Sequence, residues 1–398
     1  MKTILFCMKT ILFVSYNELH VTHGGVHRVN HLLMDGFTKV GYRCLYLINK
    51  GGKHFYINNS EVEENKLDFQ GLEKYLREQH VDYIIDQEGI FTDSFNLTFD
   101  RLKLKHIKLL TVFHNTPIIY EKLYDYKWLW SESQKSVGSF AKLGYLARLI
   151  AYPLWRKFAK QETAKRYRTI SEISDKVVFL SKNDIPNFRH YVPEIKDEKC
   201  VAIGNALTFE ETVTSEILNE KENVVLIVSR LNDNEKRISK ALQIWQIIEQ
   251  QNELDDWHLT IVGTGPHEAM LRQAARKRKL RNVLFEGRHE AEPYYRNASI
   301  FMMTSAVEGW GLTLTECMQR AVVPFVFDSY AALRDIVNDG FDGCVIPDND
   351  VRQYANRMIE LMKDKTERER MALNGLQSCQ RFAVDKVVRQ WVELIESL

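Results

Sequence analysis

SAVEGWGLTLTECMQRAVVPFVF, residues 305–327, sets two carboxylates and a glycine-framed turn in the order strand, loop, helix, strand. The pattern predicts that Glu308 closes a strand FMMTSAVE, that Gly309 and Gly311 frame a turn, and that Leu312, Thr313 and Leu314 lead into a helix carrying Glu316. A glycine-rich turn that runs at once into a helix presents free backbone N–H groups and the positive end of a helix dipole, which suits a phosphate or another anion. Two glutamates eight positions apart flank that anion. Taken singly, they read equally well as a solvated charge and a capping group.

The run resembles the donor-binding motif of retaining glycosyltransferases of family 4, in which a Glu, seven residues and a second Glu lie in the C-terminal domain of a GT-B fold. Here the pair is Glu308 and Glu316, and the frame Glu308-Gly309-Trp310-Gly311-Leu312-Thr313 is intact except at Trp310, where phenylalanine is commoner.

Composition sets the outer bounds. At 398 residues the chain exceeds what one core usually supports, so two domains of roughly 200 residues each are expected. Hydrophobic content of 45%, charged content of 27% and a net charge of +1 describe an ordinary globular protein and argue against nucleic acid as a partner. Six cysteines without CxxC spacing suggest neither a zinc ribbon nor a disulfide framework, and a reducing compartment fits them. MKTILFC at residues 1–7 is nearly repeated as MKTILFV at 8–14, and the second copy reads as the first strand, with Met8 as the natural start. No apolar run approaches the ~18 residues needed to span a bilayer.

Working outward from the motif, strand TILFVS, a loop with Gly24 and Gly25, an apolar helical repeat through Val29, Leu33 and Phe37, and strand RCLYLI open the chain as a βαβ unit without GxGxxG. His20, His23, His27 and His31 invite a metal reading, but Arg28 stands where a zincin has its glutamate, and a polar helix face is the better account. VDYIIDQ and KLLTVFHN add two buried strands, the second placing His114 at its tip, where it is either an ordinary loop histidine or a group facing a ligand crevice.

Residues 120–170 break the rhythm. Trp128, Trp130, Phe140, Tyr145, Trp155 and Phe158 alternate with Lys135, Lys142, Arg148, Arg156, Lys157 and Lys160, and Glu162 is the only acid from Lys135 to Arg168. The segment is either a face for an anionic membrane or a set of helices with core aromatics and solvated lysines. The acid-rich FEETVTSEILNEKEN follows as a linker. The second domain then opens with VVLIVSRLNDNEKRISKALQIWQIIEQ, a strand, a basic loop holding Arg230 and Lys236, and an amphipathic helix.

The resemblance implies the following assignments. The fold is α/β, GT-B: two Rossmann-like domains facing across a cleft, an acceptor-binding domain over 1–207, a nucleotide-sugar domain over 208–380, and a helix over 381–398 returning to the first. Arg230 and Lys236 bind the donor diphosphate, with Arg237 replacing the glycine often seen after the lysine. The Gly311, Leu312 and Thr313 turn supports the diphosphate, Glu316 accepts from ribose hydroxyls and Glu308 holds the sugar. Gly265, in the turn after HLTIV, and Arg288, in the loop after NVLFEG, lie toward the nucleotide. His114 lies near the transferred sugar, and Gly24 and Gly25 approach the phosphate and acceptor. The implied reaction is retaining transfer of a hexose-type sugar from a nucleoside-diphosphate donor, with UDP preferred, to a glycan or lipid-linked acceptor of a surface polysaccharide. Neither metal nor other cofactor is required, and the place is the cytoplasmic face of a membrane, held peripherally. An epimerase of similar architecture, a soluble-acceptor synthase and a non-catalytic membrane scaffold remain open.

Overall fold

The computed structural model describes residues 8–19, 25–89, 93–123, 126, 129–130 and 139–398, with nothing said of the side chains of 139–142. The chain divides into two compact units, residues 1–206 with 384–398, and residues 207–383.

The first unit is built on strands β1 (Thr10–Ser15), β2 (Arg43–Lys50), β3 (His54–Tyr56), β4 (Lys66–Leu67), β5 (Val81–Asp86), β6 (Lys108–Phe113), β7 (Lys176–Phe179) and β8 (Cys200–Ala202). They form one sheet in the order β4-β3-β2-β1-β5-β6-β7-β8. The six longer-range neighbours pair in parallel and β3 and β4 add an antiparallel edge. Ile11 to Val14 and Ile84 to Ile85 are fully buried, as parallel strands covered on both faces require. Helix Gly25–Lys39 covers one face through Val29, Leu33 and Phe37, and the terminal helix Val384–Glu396 packs on it through Val387, Val388 and Trp391.

The second unit carries β9 (Val224–Val228), β10 (His258–Val262), β11 (Val283–Gly287), β12 (Ile300–Met303), β13 (Val323–Asp328) and β14 (Cys344–Pro347). All are parallel, in the order β11-β10-β9-β12-β13-β14. The strand order therefore reverses between β9 and β12, the kind of switch point at whose carboxyl ends doubly wound sheets bind ligands. Helix Ile238–Ile248 buries Ile238, Ala241, Leu242, Trp245 and Ile248 against this sheet, in line with its periodicity.

Two local expectations need correction. The strand FMMTSAVE ends at Met303, because from Thr304 onward the backbone carbonyls are taken by a side chain rather than by a neighbouring strand. The antiparallel strands β3 and β4, too short to show a period, were not foreseen.

Candidate active site

The switch between β9 and β12 determines what meets in the second unit. The β9 exit makes one short turn of helix, Asp233–Lys236, and the β12 exit runs from Thr304 to Glu308. Lys236 Nζ donates to Glu308 Oε1 at 2.5 Å, and Ser305 Oγ donates to the same oxygen at 2.7 Å. Both charged side chains are mostly covered, 19% and 15% exposed, so the pair is only partly screened by solvent. Two residues 72 positions apart in the chain are thus brought into contact by sheet order alone. Arg230, by contrast, is 63% exposed and pairs with Glu235 at 2.6 Å.

Arg237 supplies the frame. Its φ of 50° is left-handed, which explains why a glycine is at home at such a position. Its guanidinium donates to Thr304 O at 2.7 Å and Ser305 O at 2.6 Å, pairs with Asp348 at 2.7 Å and reaches Asn349 at 3.0 Å. Thr304 Oγ1 returns a bond to Lys236 O at 2.9 Å. The two loops carrying Lys236 and Glu308 are therefore laced together on either side of the pair.

The glycine-framed turn stands beside them. Gly311 adopts φ 89°, and a Cβ there would come within 2.9 Å of the Tyr330 hydroxyl, so no other residue fits. Leu312 and Thr313 open the helix Leu312–Gln319, whose first N–H groups have no partner within the helix. Trp310, between the two glycines, is 3% exposed, meets Phe382 edge-on at 5.0 Å, and has no partner for its Nε1–H among the described residues. Gly265 sits where the β10 exit crosses the β9 exit: a Cβ there would lie 2.6 Å from the Leu231 backbone. Leu231 N–H donates to Thr264 O at 2.9 Å across the same crossing. Arg288 is exposed in the β11 exit loop.

Glu316 is placed differently from Glu308. It is 2% exposed and its two oxygens accept from Thr208 Oγ1 at 3.0 Å and Tyr295 OH at 3.1 Å. The second glutamate thus ties the start of this unit to its helices. The chain's one Asp-x-Asp triplet, Asp348-Asn349-Asp350, is likewise engaged, Asp348 with Arg237 and Asp350 as the cap of helix Val351–Lys363. Among the described residues no group of three or more His, Cys, Asp or Glu side chains is gathered as for a metal.

In the first unit His114 follows β6 and contacts Gln87 Oε1 through Nε2. Among the described residues its Nδ1 has no partner. Burial pushes the imidazole down to about 4, so it is neutral at physiological pH. Around it, at the carboxyl edge of β1, β5 and β6, stand polar groups that the sequence reading passed over. Asp86 is fully buried, with Oδ2 unpartnered among the described residues and its carboxyl raised well above the usual range by desolvation and by neighbouring Glu88. Glu88, also raised by burial, accepts from Ser15 Oγ at 3.2 Å and from Tyr16 N. Asn30 is fully buried, with neither amide atom paired among the described residues. The run Asp86-Gln87-Glu88, three polar residues directly after the apolar Tyr83-Ile84-Ile85 of β5, was the available signal, because buried polar groups are costly unless they are used. Gly25 begins helix Gly25–Lys39; Gly24, His20, His23 and Trp128 lie outside the described residues.

Residues 208–378 match the family model of glycosyl transferases group 1. Over 230 residues the chain is 24% identical to the amylovoran biosynthesis glycosyltransferase AmsD of Erwinia amylovora, covering 56% of this chain and 62% of that protein. Over 222 residues it is 23% identical to the Campylobacter jejuni GalNAc-alpha-(1->4)-GalNAc-alpha-(1->3)-diNAcBac-PP-undecaprenol alpha-1,4-N-acetyl-D-galactosaminyltransferase, covering 56% of this chain and 60% of that one. These alignments therefore span less than two thirds of either relative's length. The structure of HepE from Anabaena in complex with UDP and glucose superposes with a TM-score of 0.69 at 14% identity, over 98% of this chain and 100% of that one. The fold is GT-B, and residues 208–378 are similar to the glycosyl transferases group 1 family.

Proposed function

We propose that the protein is a retaining glycosyltransferase that moves a hexose-type sugar from a nucleoside-diphosphate donor, UDP by preference, to a glycan or lipid-linked acceptor of a surface polysaccharide. The observation that carries this is the Lys236–Glu308 contact at the β9/β12 switch, beside the glycine-framed helix start at Gly311 to Thr313. As the bond from sugar to nucleotide breaks, negative charge grows on the leaving β-phosphate. A fixed ammonium and helix-start N–H groups stabilise that charge, and they do so without a metal. Glu308 holds Lys236 until the diphosphate competes for it, and its carboxylate then faces the sugar hydroxyls. The exposed guanidinium of Arg230 adds a second cation.

A relative whose name specifies an undecaprenol-linked substrate and one named for amylovoran biosynthesis support an acceptor of this class, and a structural neighbour that holds UDP supports the donor. The acceptor is then met at the cytoplasmic face of a membrane, with the protein bound peripherally.

The test is thermal unfolding of wild type and Lys236→Ala with UDP, GDP, ADP and CMP, in chelator. A ligand at 100 times its Kd adds about 2.7 kcal/mol. Stabilisation by UDP alone, weakened in Lys236→Ala, is the expected result, followed by donor turnover with retained anomeric configuration by NMR. Absence of any response, or stabilisation only on adding a divalent cation, would overturn the donor class or the metal-free mechanism respectively.

A further inference from the structure

Helices Ser139–Ile150 and Tyr152–Ile173 form a pair whose second member is only half rooted in its unit. Its C-terminal half buries Thr163, Tyr167, Ile170 and Ser171, and Tyr167 sits among Phe113, Phe188 and Tyr191 at ring distances of 5.1 to 5.3 Å. Its first half, from Tyr152 to Glu162, buries nothing. On this projecting part lie the most exposed large apolar side chains among the described residues: Ile150 at 87%, Leu154 at 72%, Phe158 at 60% and Leu143 at 59%. Leu154 and Phe158 are one turn apart on one helix, and Leu143 and Ile150 are two turns apart on the other, so each helix carries its apolar residues along one line. Scattered apolar residues need no explanation, but the concentration of the extreme cases on one projection does.

Charge decides what covers it. From Ser139 to Gln161 the sequence has five cations and no acid, in a chain of net charge +1. Lys160 is turned back to the body, 3.9 Å from Glu121 and in contact with His190. Arg148 and Lys157 are exposed, and Arg156 is 55% exposed with a contact to Glu121 no closer than 3.9 Å. A second copy of this chain would bring the same cations against these, which repels it. Aliphatic and aromatic side chains in line, flanked by cations and without acids, match the boundary between anionic headgroups and acyl chains. No helix among the described residues is long and apolar enough to cross a membrane, so the contact is made from one side.

We propose that this projection docks on an anionic lipid surface, with Ile150, Leu154 and Phe158 entering the headgroup layer and Arg148, Arg156 and Lys157 meeting lipid phosphates. This deepens, and rests on, the membrane-surface part of the proposed function.

Vesicle flotation tests it, with phosphatidylcholine alone against phosphatidylcholine containing about one third phosphatidylglycerol. Wild type is expected to bind the anionic vesicles about tenfold more tightly, with the preference falling at high salt. The triple variant Ile150→Ser, Leu154→Ser, Phe158→Ser and the triple variant Arg148→Gln, Arg156→Gln, Lys157→Gln should each lose about tenfold in binding, with UDP-induced stabilisation unchanged in both. Equal binding by wild type and variants, or no binding by wild type, overturns the proposal. So does a wild-type dimer that becomes monomeric in the serine variant, which would give the row to a second copy. Vesicle binding without any nucleotide response would break the glycosyltransferase proposal and leave this one standing.

Discussion

The carboxyl edges of the two sheets handle buried polarity in opposite ways. In the second unit the charged groups are closed on one another: Lys236 on Glu308, Arg237 on two carbonyls and Asp348, Glu316 on Thr208 and Tyr295. In the first unit the equivalent edge leaves Asn30, Asp86 Oδ2, Gln87 Nε2 and His114 Nδ1 without partners among the described residues. The difference follows from what each kind of group tolerates. A buried full charge without a counter-charge costs far more than an unpaired amide or imidazole nitrogen, so cations covered at this edge are held by carboxylates. Neutral polar groups can stand unpaired at moderate cost and offer hydrogen bonds to hydroxyls.

Substitutions can break or sharpen this contrast. The largest effect is expected from Lys236→Ala, which should lower kcat on the order of 10² to 10³, as for removal of one donor to a developing oxyanion. Activity within about fivefold of wild type would mean that the pair is structural and the contrast has no catalytic content. Gly265→Ala comes next: its methyl would press on the Leu231 backbone at 2.6 Å, forcing the two loops apart at about 1–3 kcal/mol of stability and weakening donor binding. An unaltered melting temperature would show that the crossing is loose.

Arg237→Gly sharpens the comparison by separating backbone from side chain. Glycine relieves the left-handed φ, a gain of about 1 kcal/mol, but removes bonds each worth about 1.5–3 kcal/mol. The expected outcome is a clear net loss of stability, because the lost bonds outweigh the relieved φ, with kcat about tenfold lower and the KM for donor little changed. A fall in stability alone would leave Arg237 as a brace without influence on the pair. Tyr295→Phe should cost about 1–2 kcal/mol in thermal unfolding, because Glu316 loses a buried donor.

The last effect belongs to the first unit and is a pH effect. His114 is pushed down to about 4 in the folded chain, against an ordinary value of 6.5. Its contribution to stability is therefore fully present above about 6.5 and is lost as pH falls toward 4, where the unfolded chain alone takes the proton. His114→Asn should flatten that decline by on the order of 1–3 kcal/mol. Asp86 and Glu88 are raised and act in the opposite sense, but they are common to both proteins and cancel in the comparison. Parallel pH profiles would show that His114 is solvated.

The sequence by itself determined the alternation of strands and helices, the division near residue 207 and the cluster of motif residues in the second half, because strand polarity, helical period and glycine turns are short-range properties of the chain. The glycine-framed turn at Gly311 and the helix after it were legible for that reason. Only the tertiary structure decided which partner each side chain takes. It closed Glu316 on Thr208 and Tyr295, turned Arg237 into a clamp at a position where glycine is usual, gathered Asn30, Asp86 and His114 at one sheet edge, and left Ile150 and Leu154 outside while burying Tyr167. The reason is that burial and pairing depend on strand order, which joins residues far apart in the chain, and no local pattern encodes that order.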